Sequence, residues 1–142
     1  MFENLMCTAV LPAADLDRAK QWWHDVLGHD PMYTEPDTGD MYYEIGGTAV
    51  LVYRTDFAGT AQNTAFNLVT DNLDRDTTAL RTHGVVFHDY DMPGLKTVDG
   101  IAQLGGTRGA WFSDSEGNII SIAQPSPEMM EVAKRMRAGA AG

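Results

Sequence analysis

The sequence predicts an α+β fold in which two similar strand–helix–strands units share one sheet system. The first observation is an internal repeat: residues 14–18 (Ala-Asp-Leu-Asp-Arg) resemble residues 71–75 (Asp-Asn-Leu-Asp-Arg). Glycines that can end a helix follow at Gly28 and Gly84, so the two copies are offset by 56 to 57 positions. The second observation is a strong hairpin signal, two β-type runs separated by Gly46-Gly47.

In the first half, residues 5–11 form a short apolar run that predicts a strand ending at Pro12. Asp15 can accept hydrogen bonds from the free amides of a first helical turn, so a helix is expected to begin there and to end at Gly28. The hairpin follows, with strands over residues 41–45 and 48–53.

The second half repeats this order. The pattern predicts strands over residues 64–69, 85–88, 110–112 and 119–122, a helix capped within residues 70–72 and ending at 83–84, and a turn over 114–118. These elements divide the chain into a first unit (1–56), a second unit (57–125) and a tail (126–142), all within one structural domain.

Two segments lie outside the repeat. Residues 89–106 are rich in Gly, Asp and Pro and form either a functional lid or a surface loop with one short strand. Residues 127–137 predict a short helix with Met129, Val132, Ala133 and Met136 on one side, and residues 138–142 a frayed end.

Composition narrows the function. The 142 residues are 44% hydrophobic and 21% charged, which is typical of a globular protein. A net charge of −10 disfavours nucleic acid and anionic membrane surfaces as partners. The first residues lack the pattern of a signal peptide, and the single cysteine, Cys7, cannot form an internal disulfide. We therefore expect a cytoplasmic protein.

Several of these motifs together resemble the vicinal oxygen chelate superfamily, which includes glyoxalases, bleomycin-resistance proteins and extradiol dioxygenases. They are Asp-Leu-Asp-Arg-Ala at the first helix start, Trp-Trp-His-Asp-Val-Leu-Gly at its end, and Asp-Ser-Glu-Gly-Asn before the last strand. The resemblance covers about residues 5–124 and implies two paired βαβββ modules forming a cupped mixed sheet, followed by the C-terminal helix. It also implies a homodimer, because half-cups in this superfamily are commonly completed across a subunit interface.

The resemblance also gives four positions where metal-dependent members carry His or Glu ligands. In this chain they correspond to Thr8, Val52, Ala65 (or Thr64 in the adjacent register) and Ser121. None of these side chains is a strong ligand for a divalent transition metal. We therefore expect no metal and no other cofactor.

The same register predicts which residues line the cup. If Val52 points inward, its cross-strand partner Met41 and the alternate residue Tyr43 do too. In the second half, Ser121 and Asn67 share the inward face, with Phe112 there unless the register slips and exchanges it with Trp111. The predicted ligand-binding residues are Thr8, Met41, Tyr43, Val52, Arg54, Asn67, Phe112 and Ser121, together with Lys96 and Asp99 on the long loop. The alternatives are that the cup residues simply fill a core and that the loop charges are solvated.

A mostly apolar cup with an aromatic wall suits a medium-sized apolar or aromatic molecule. The leading hypothesis is therefore a metal-independent binding protein that sequesters an antibiotic or metabolite. The alternative is a glyoxalase-like isomerase or lyase that acts on a small carbonyl compound and uses Arg54, Tyr43, Lys96 or Asp99 for acid–base work.

Overall fold

The computed structural model describes residues 2–141, so Met1 and Gly142 lie outside the description. The strands form two mixed sheets. The first sheet has the order β1-β4-β3-β2, with β1 at Ala9–Ala13, β2 at Tyr33–Thr34, β3 at Met41–Ile45 and β4 at Thr48–Arg54. Strand β1 runs parallel to β4, and the other pairs are antiparallel.

The second sheet repeats this arrangement and extends it, in the order β5-β10-β9-β8-β7-β6. Its strands are β5 (Thr64–Val69), β6 (Asp91–Met92), β7 (Leu95–Val98), β8 (Ile101–Leu104), β9 (Thr107–Ser113) and β10 (Ile119–Gln124). Strand β5 runs parallel to β10, as β1 does to β4. The α+β prediction with a cupped mixed sheet is confirmed.

The first helix begins and ends where the sequence predicts. Helix α1 spans Leu16–Trp22, and the Asp15 carboxylate accepts a hydrogen bond from the Arg18 amide at 3.0 Å. The helix continues as a π-helical turn, Trp23–Leu27, and ends at Gly28 with φ = 69°. This left-handed conformation suits glycine because a Cβ atom would strain it.

The second helix, α2, spans Leu73–Thr82. Its N-cap is Asn72, whose side chain accepts from the Arg75 amide at 3.0 Å. Leu73, Thr77 and Leu80 form its buried stripe.

Four segments differ from the prediction. Strand β1 begins at Ala9 rather than at residue 5, and it includes Pro12, which is tolerated because β1 is an edge strand. Residues 85–88 are not a strand, although the His88 amide donates to the Trp111 carbonyl at 2.8 Å. Residues 89–106 are not a plain loop, because they contain β6, β7 and β8. Helix α3 spans Pro127–Ala141, so residues 138–141 of the predicted frayed end are helical, and Gly142 lies outside the described residues.

Each sheet packs one face against helices and forms a hydrophobic core there. In the first core, the Trp23 side chain is 1% exposed and packs among residues of β1, β3 and β4. In the second core, Leu73 and Leu80 of α2 pack on Phe112, Ile120 and Ile122. Trp22, Leu27 and Phe66 contact both cores, so the two halves share packing. We call the opposite face of each sheet its open face.

No helix among residues 2–141 is long and apolar enough to cross a bilayer.

Candidate functional site

The predicted hairpin register is correct, but its predicted inward face is the wrong one. Met41 pairs with Val52 and Tyr43 pairs with Val50, as the two-residue Gly46-Gly47 turn requires. These side chains are about 2% exposed, however, and pack beneath α1. The Tyr43 ring stacks on Trp23 with centroids 4.3 Å apart. Met41, Tyr43 and Val52 therefore belong to the core rather than to the open face.

The chemistry of Tyr43 follows from this burial. Its hydroxyl lies 3.7 Å from the Met41 sulfur. Burial first, and the charge of Asp30 second, raise the pKa of Tyr43 to about 12. The phenol is neutral at physiological pH and is not placed to exchange protons with a ligand on the open face.

Arg54 also lies on the helix side. It forms an ion pair with Asp56 at 2.7 Å and lines a surface pocket of about 510 Å³ with Asp17 and Lys20. This pocket carries charges of both signs and no aromatic side chain. It therefore differs in chemistry from the aromatic cup that the sequence predicts.

The open face of the first sheet consists of the alternate residues. Tyr42 pairs with Leu51 and with Tyr33, and Val10 and Tyr53 complete the face through the β1–β4 pairing. Val10 and Tyr33 are 54% and 55% exposed, and Tyr42 and Tyr53 are each 37% exposed. Tyr33 and Tyr42 lie ring to ring at 6.1 Å. This face carries three tyrosine rings beside Val10 and Leu51, and exposed apolar surface of this kind marks interaction sites.

In the second half, two of the predicted residues lie together on the open face. Ser121 and Asn67 are register partners, and the Ser121 hydroxyl donates to Asn67 Oδ1 at 2.7 Å. Trp111 pairs with Ser121 and shares the open face. Phe112 is fully buried and packs against Phe87 and Trp22. The alternative register, with Trp111 on the open face, is therefore the one observed.

The four positions that correspond to metal ligands do not form a ligand set. Thr8 is exposed just before β1, and Val52 is in the core. Ala65 is aliphatic, and the hydroxyl of Ser121 is bonded to Asn67. Among residues 2–141, no group of three or more His, Cys, Asp or Glu side chains could hold a metal ion. These donors do not fit the divalent ion that the superfamily chemistry uses.

A polar cluster that sequence reasoning missed lies on the open face beside Trp111. His88 Nδ1 is 3.0 Å from the Tyr90 hydroxyl, and His88 Nε2 is 3.0 Å from the Ser113 hydroxyl. The Tyr90 ring meets Trp111 edge-on at 5.7 Å. We call these four residues the His88 cluster. The sequence carried one usable signal: in the strand predicted over residues 85–88, apolar Val85 and Phe87 alternate with Val86 and His88, which puts His88 on the face opposite Phe87.

Lys96 and Asp99 lie on and just after β7, where Thr97 bonds to the backbone of Tyr90. Lys96 is exposed on β7 opposite Asp91 of β6. Asp99 lies in the β7–β8 turn with φ = 53°, and its carbonyl accepts from Arg81 of α2 at 2.5 Å. The neighbouring Gly100 is packed against Phe87, on the helix side of the sheet. Asp99 therefore lies on the side opposite the open face.

Hydrogen bonds from the turn between β9 and β10 link the two halves of the chain. Glu116 Oε1 accepts hydrogen bonds from the Ala14 and Asp15 amides, both at 2.9 Å. The Arg18 guanidinium donates to both carboxylate oxygens, at 2.8 and 2.9 Å, and the Ser115 hydroxyl donates at 2.7 Å. The Glu116 side chain is 1% exposed. These contacts join the second sheet to the segment that leads into α1.

Two carboxyl groups in this turn have pKa values that are shifted in opposite directions. Burial opposes ionisation of Glu116, but hydrogen bonds from Arg18, Ser115 and the Asp15 amide, with the charge of Arg18, lower its pKa to about 2. Burial raises the pKa of Asp114 above its usual value, despite hydrogen bonds from Asn118. Asn118 also donates to the Pro12 carbonyl at 2.9 Å, which adds a second link between the halves.

Comparisons with known proteins were made once this geometry was clear. A scan of protein-family models and a search of curated proteins each find no match. Solved structures do match. UcmS2 superposes with a TM-score of 0.68 at 16% identity, covering 85% of this chain and 98% of that chain.

Two further structures carry information about ligands. TnmS3, an antibiotic binding protein from Streptomyces sp. CB03234, has a TM-score of 0.58 at 23% identity, with 89% and 99% of the two chains covered. The fosfomycin resistance protein FosX from Listeria monocytogenes, in complex with Mn(II) and a dihydroxypropylphosphonic acid, has a TM-score of 0.64 at 15% identity, with 90% and 94% covered. The protein therefore has the vicinal oxygen chelate fold, which confirms the predicted resemblance at the level of the fold.

Proposed function

We propose that this protein binds a planar aromatic small molecule on the open faces of its sheets, without a metal ion, and sequesters it unchanged. The observation that carries the proposal is the aromatic surface of the first sheet. Tyr33, Tyr42 and Tyr53 expose ring surface there, and Trp111 lies on the open face of the second sheet. Aromatic side chains provide large contact areas for flat apolar ligands at little entropic cost.

The donor chemistry supports a ligand held by stacking rather than by chelation. Two hydroxyl and two aliphatic side chains, those at Thr8, Ser121, Val52 and Ala65, do not replace the imidazoles and carboxylates of a metal site. TnmS3 has the same fold and is an antibiotic binding protein, which supports a resistance-type role for this fold in general.

We further propose that the binding unit is a homodimer. A cavity of about 220 Å³ lies where β1 meets the second half, lined by Val10, Pro12, Ala65 and Ile119 among others. Pockets for drug-sized ligands are about 300–1,000 Å³ and bury most of the ligand. A second copy covering the aromatic face would both enlarge this cavity and remove exposed apolar surface from water. The proposed location is the cytoplasm, because the exposed, unpaired Cys7 suits a reducing compartment.

The test combines ligand screening with recovery of the ligand. We expect a panel of planar aromatic compounds to include one that raises the melting temperature of chelator-treated protein and is extracted chemically unchanged. Tyr53→Ala should weaken that binding. Met136→Ala, which removes another exposed apolar side chain but lies on α3, should leave it unchanged.

Two results would contradict the proposal. Stoichiometric conversion of the bound compound would show an enzyme instead of a sequestering protein. A binding signal that appears only after a divalent metal is restored would show that the ligand set has been misidentified. Sedimentation velocity tests the dimer separately, since a monomer at micromolar concentration that still binds ligand would refute only that part.

A further inference from the structure

The His88 cluster is a second feature of the open face, distinct from its stacking surface. The imidazole of His88 lies between two hydroxyls, those of Tyr90 and Ser113, at 3.0 Å each. Ser113 is exposed and His88 is half-buried, so the cluster is accessible from the open face. The two other hydrogen bonds of histidine rings that the structure gives within residues 2–141 reach a carboxylate and a backbone carbonyl.

They join the His24 ring to the Asp30 carboxylate and the His29 ring to the Leu27 carbonyl. His88 differs from them because both of its ring nitrogens face hydroxyl groups, which can donate or accept.

The ring nitrogen that carries the imidazole proton determines which of the two hydroxyls can donate a hydrogen bond to a ligand. A neutral imidazole carries one N–H donor and one acceptor nitrogen. If Nδ1–H donates to Tyr90, the Ser113 hydroxyl donates to Nε2 and the Tyr90 proton is left for a ligand. If Nε2–H donates to Ser113, the Tyr90 hydroxyl donates to Nδ1 and the Ser113 proton is left for a ligand. In both tautomers one hydroxyl presents a proton outward while the other presents only lone pairs.

A ligand hydroxyl matches this arrangement better than other oxygen groups. A hydroxyl donates and accepts, so it can pair with either hydroxyl of the cluster in either tautomer. A methyl ether only accepts, and a hydrocarbon does neither. The Trp111 ring, edge-on to Tyr90 at 5.7 Å, lies beside these polar groups and offers an aromatic surface to the rest of the ligand.

We propose that the His88 cluster is a hydrogen-bonding subsite that selects aromatic ligands bearing a hydroxyl group, such as phenols. This inference rests on the proposed function, because it names the class of ligand that the aromatic open face takes. Tyr90 and Ser113 would contact the ligand, and His88 would be a positioning residue that holds their hydroxyls.

Three probes of nearly equal shape test the subsite: 2-naphthol, 2-methoxynaphthalene and naphthalene. Binding to the full chain is measured by quenching of tryptophan fluorescence up to the solubility of each probe. We expect 2-naphthol to bind about tenfold more tightly than the other two, the effect of about one net hydrogen bond. In Tyr90→Phe/Ser113→Ala, the three affinities should become equal while that of naphthalene is unchanged.

The naphthalene affinity of the double variant also reports that it is folded. Thr78→Ala is the matched control, because it removes a hydroxyl from the exposed side of α2 and should keep the tenfold preference. His88→Leu should reduce the preference, since both hydroxyls lose their partner.

The outcomes separate the two proposals. Equal binding of all three probes to the wild-type chain would overturn the subsite and leave the proposed function standing. A preference that persists in the double variant would also overturn the subsite. If no probe binds and no compound of the wider aromatic panel binds, the proposed function fails and the subsite fails with it.

Discussion

Replacing the buried Glu116 by glutamine should destabilise the protein more than the same change at an exposed glutamate. The carboxylate is buried and accepts five hydrogen bonds, two from the amides that lead into α1 and two from Arg18. Glutamine has the same shape, but its amide group cannot accept at both ends. The variant therefore removes the charge and leaves at least one buried donor without an acceptor.

The magnitude follows from the pKa of Glu116. The folded chain lowers this pKa from 4.5 to about 2. At 1.36 kcal/mol per pKa unit, such a difference corresponds to about 3 kcal/mol. Arg18 is 53% exposed, so solvent screens its charge and the expected loss is about 2 kcal/mol.

The same shift gives the direction of the pH dependence. A carboxyl whose pKa is lower in the folded state stabilises the fold fully above its unfolded pKa, and that stabilisation is lost as the pH falls through its folded pKa. The difference between the wild type and Glu116→Gln should therefore be largest at pH 6–7 and shrink between about pH 4.5 and pH 2. Asp114, whose pKa is raised first by burial, contributes with the opposite sign, and the charge of Glu116 supplies part of that shift.

Urea unfolding, followed by tryptophan fluorescence at pH 7, 5 and 3, measures the difference in the free energy of unfolding between the wild type and Glu116→Gln. Glu128→Gln makes the same chemical change in the exposed first turn of α3 and should alter stability by less than about 0.5 kcal/mol. The reasoning is refuted if Glu116→Gln matches the wild type at pH 7, or if the difference between them is the same at pH 3 as at pH 7.

Three further predictions concern other parts of the chain. Tyr43→Ala should lower the free energy of unfolding by about 3 kcal/mol, because it empties a core site against Trp23. Tyr42→Ala, on the open face, should lower it by less than about 1 kcal/mol but weaken the binding of aromatic ligands. Chemical denaturation measures the first effect and a binding titration the second. Gly117→Ala should cost about 2 kcal/mol, because residue 117 has φ = 85° and an added Cβ would lie 2.9 Å from Gly59 Cα; a melting curve like that of the wild type would contradict this. Purified protein refed with Zn, Ni, Mn or Fe should retain less than about 0.1 ion per chain after dialysis, measured by elemental mass spectrometry, and near one ion per chain would contradict the donor argument.

Local signals in the sequence were sufficient for much of the fold. Asp15, Asn72 and Gly28 act on their own neighbours, so the helix ends could be predicted from short motifs. The Gly46-Gly47 turn likewise fixes the register of β3 on β4. The internal repeat then predicted two similar halves.

The choice of face could not be made from local signals. In the hairpin, both faces are rich in apolar and aromatic residues: Tyr42 and Leu51 on one side, Tyr43 and Val50 on the other. Alternation alone gives the two sets but does not say which of them meets a helix. Placing Val52 inward by analogy with a metal ligand assigned the wrong set, and the stacking of Trp23 on Tyr43 decides the matter.

The contacts that define the candidate site depend on distant residues. Ser113 is 25 positions from His88, and their contact requires residue 88 to lie beside β9. Glu116 lies in a turn whose local sequence explains its Asx-type hydrogen bonds but not its contact with α1. Such contacts follow from the tertiary arrangement and leave no spacing pattern in the chain.

The link between Glu116 and the start of α1 has a consequence for how the protein is made. Asp15 and Glu116 are 101 positions apart, so α1 leaves the ribosome long before its partner exists. At about 5–20 residues per second, that interval lasts about 5–20 s. By contrast, the Leu73 amide of α2 bonds to Gln124 only 51 positions later, within the same half. The first half therefore spends longer without its stabilising contact, and through that interval Trp22 lacks the Phe112 ring on which it stacks in the folded chain.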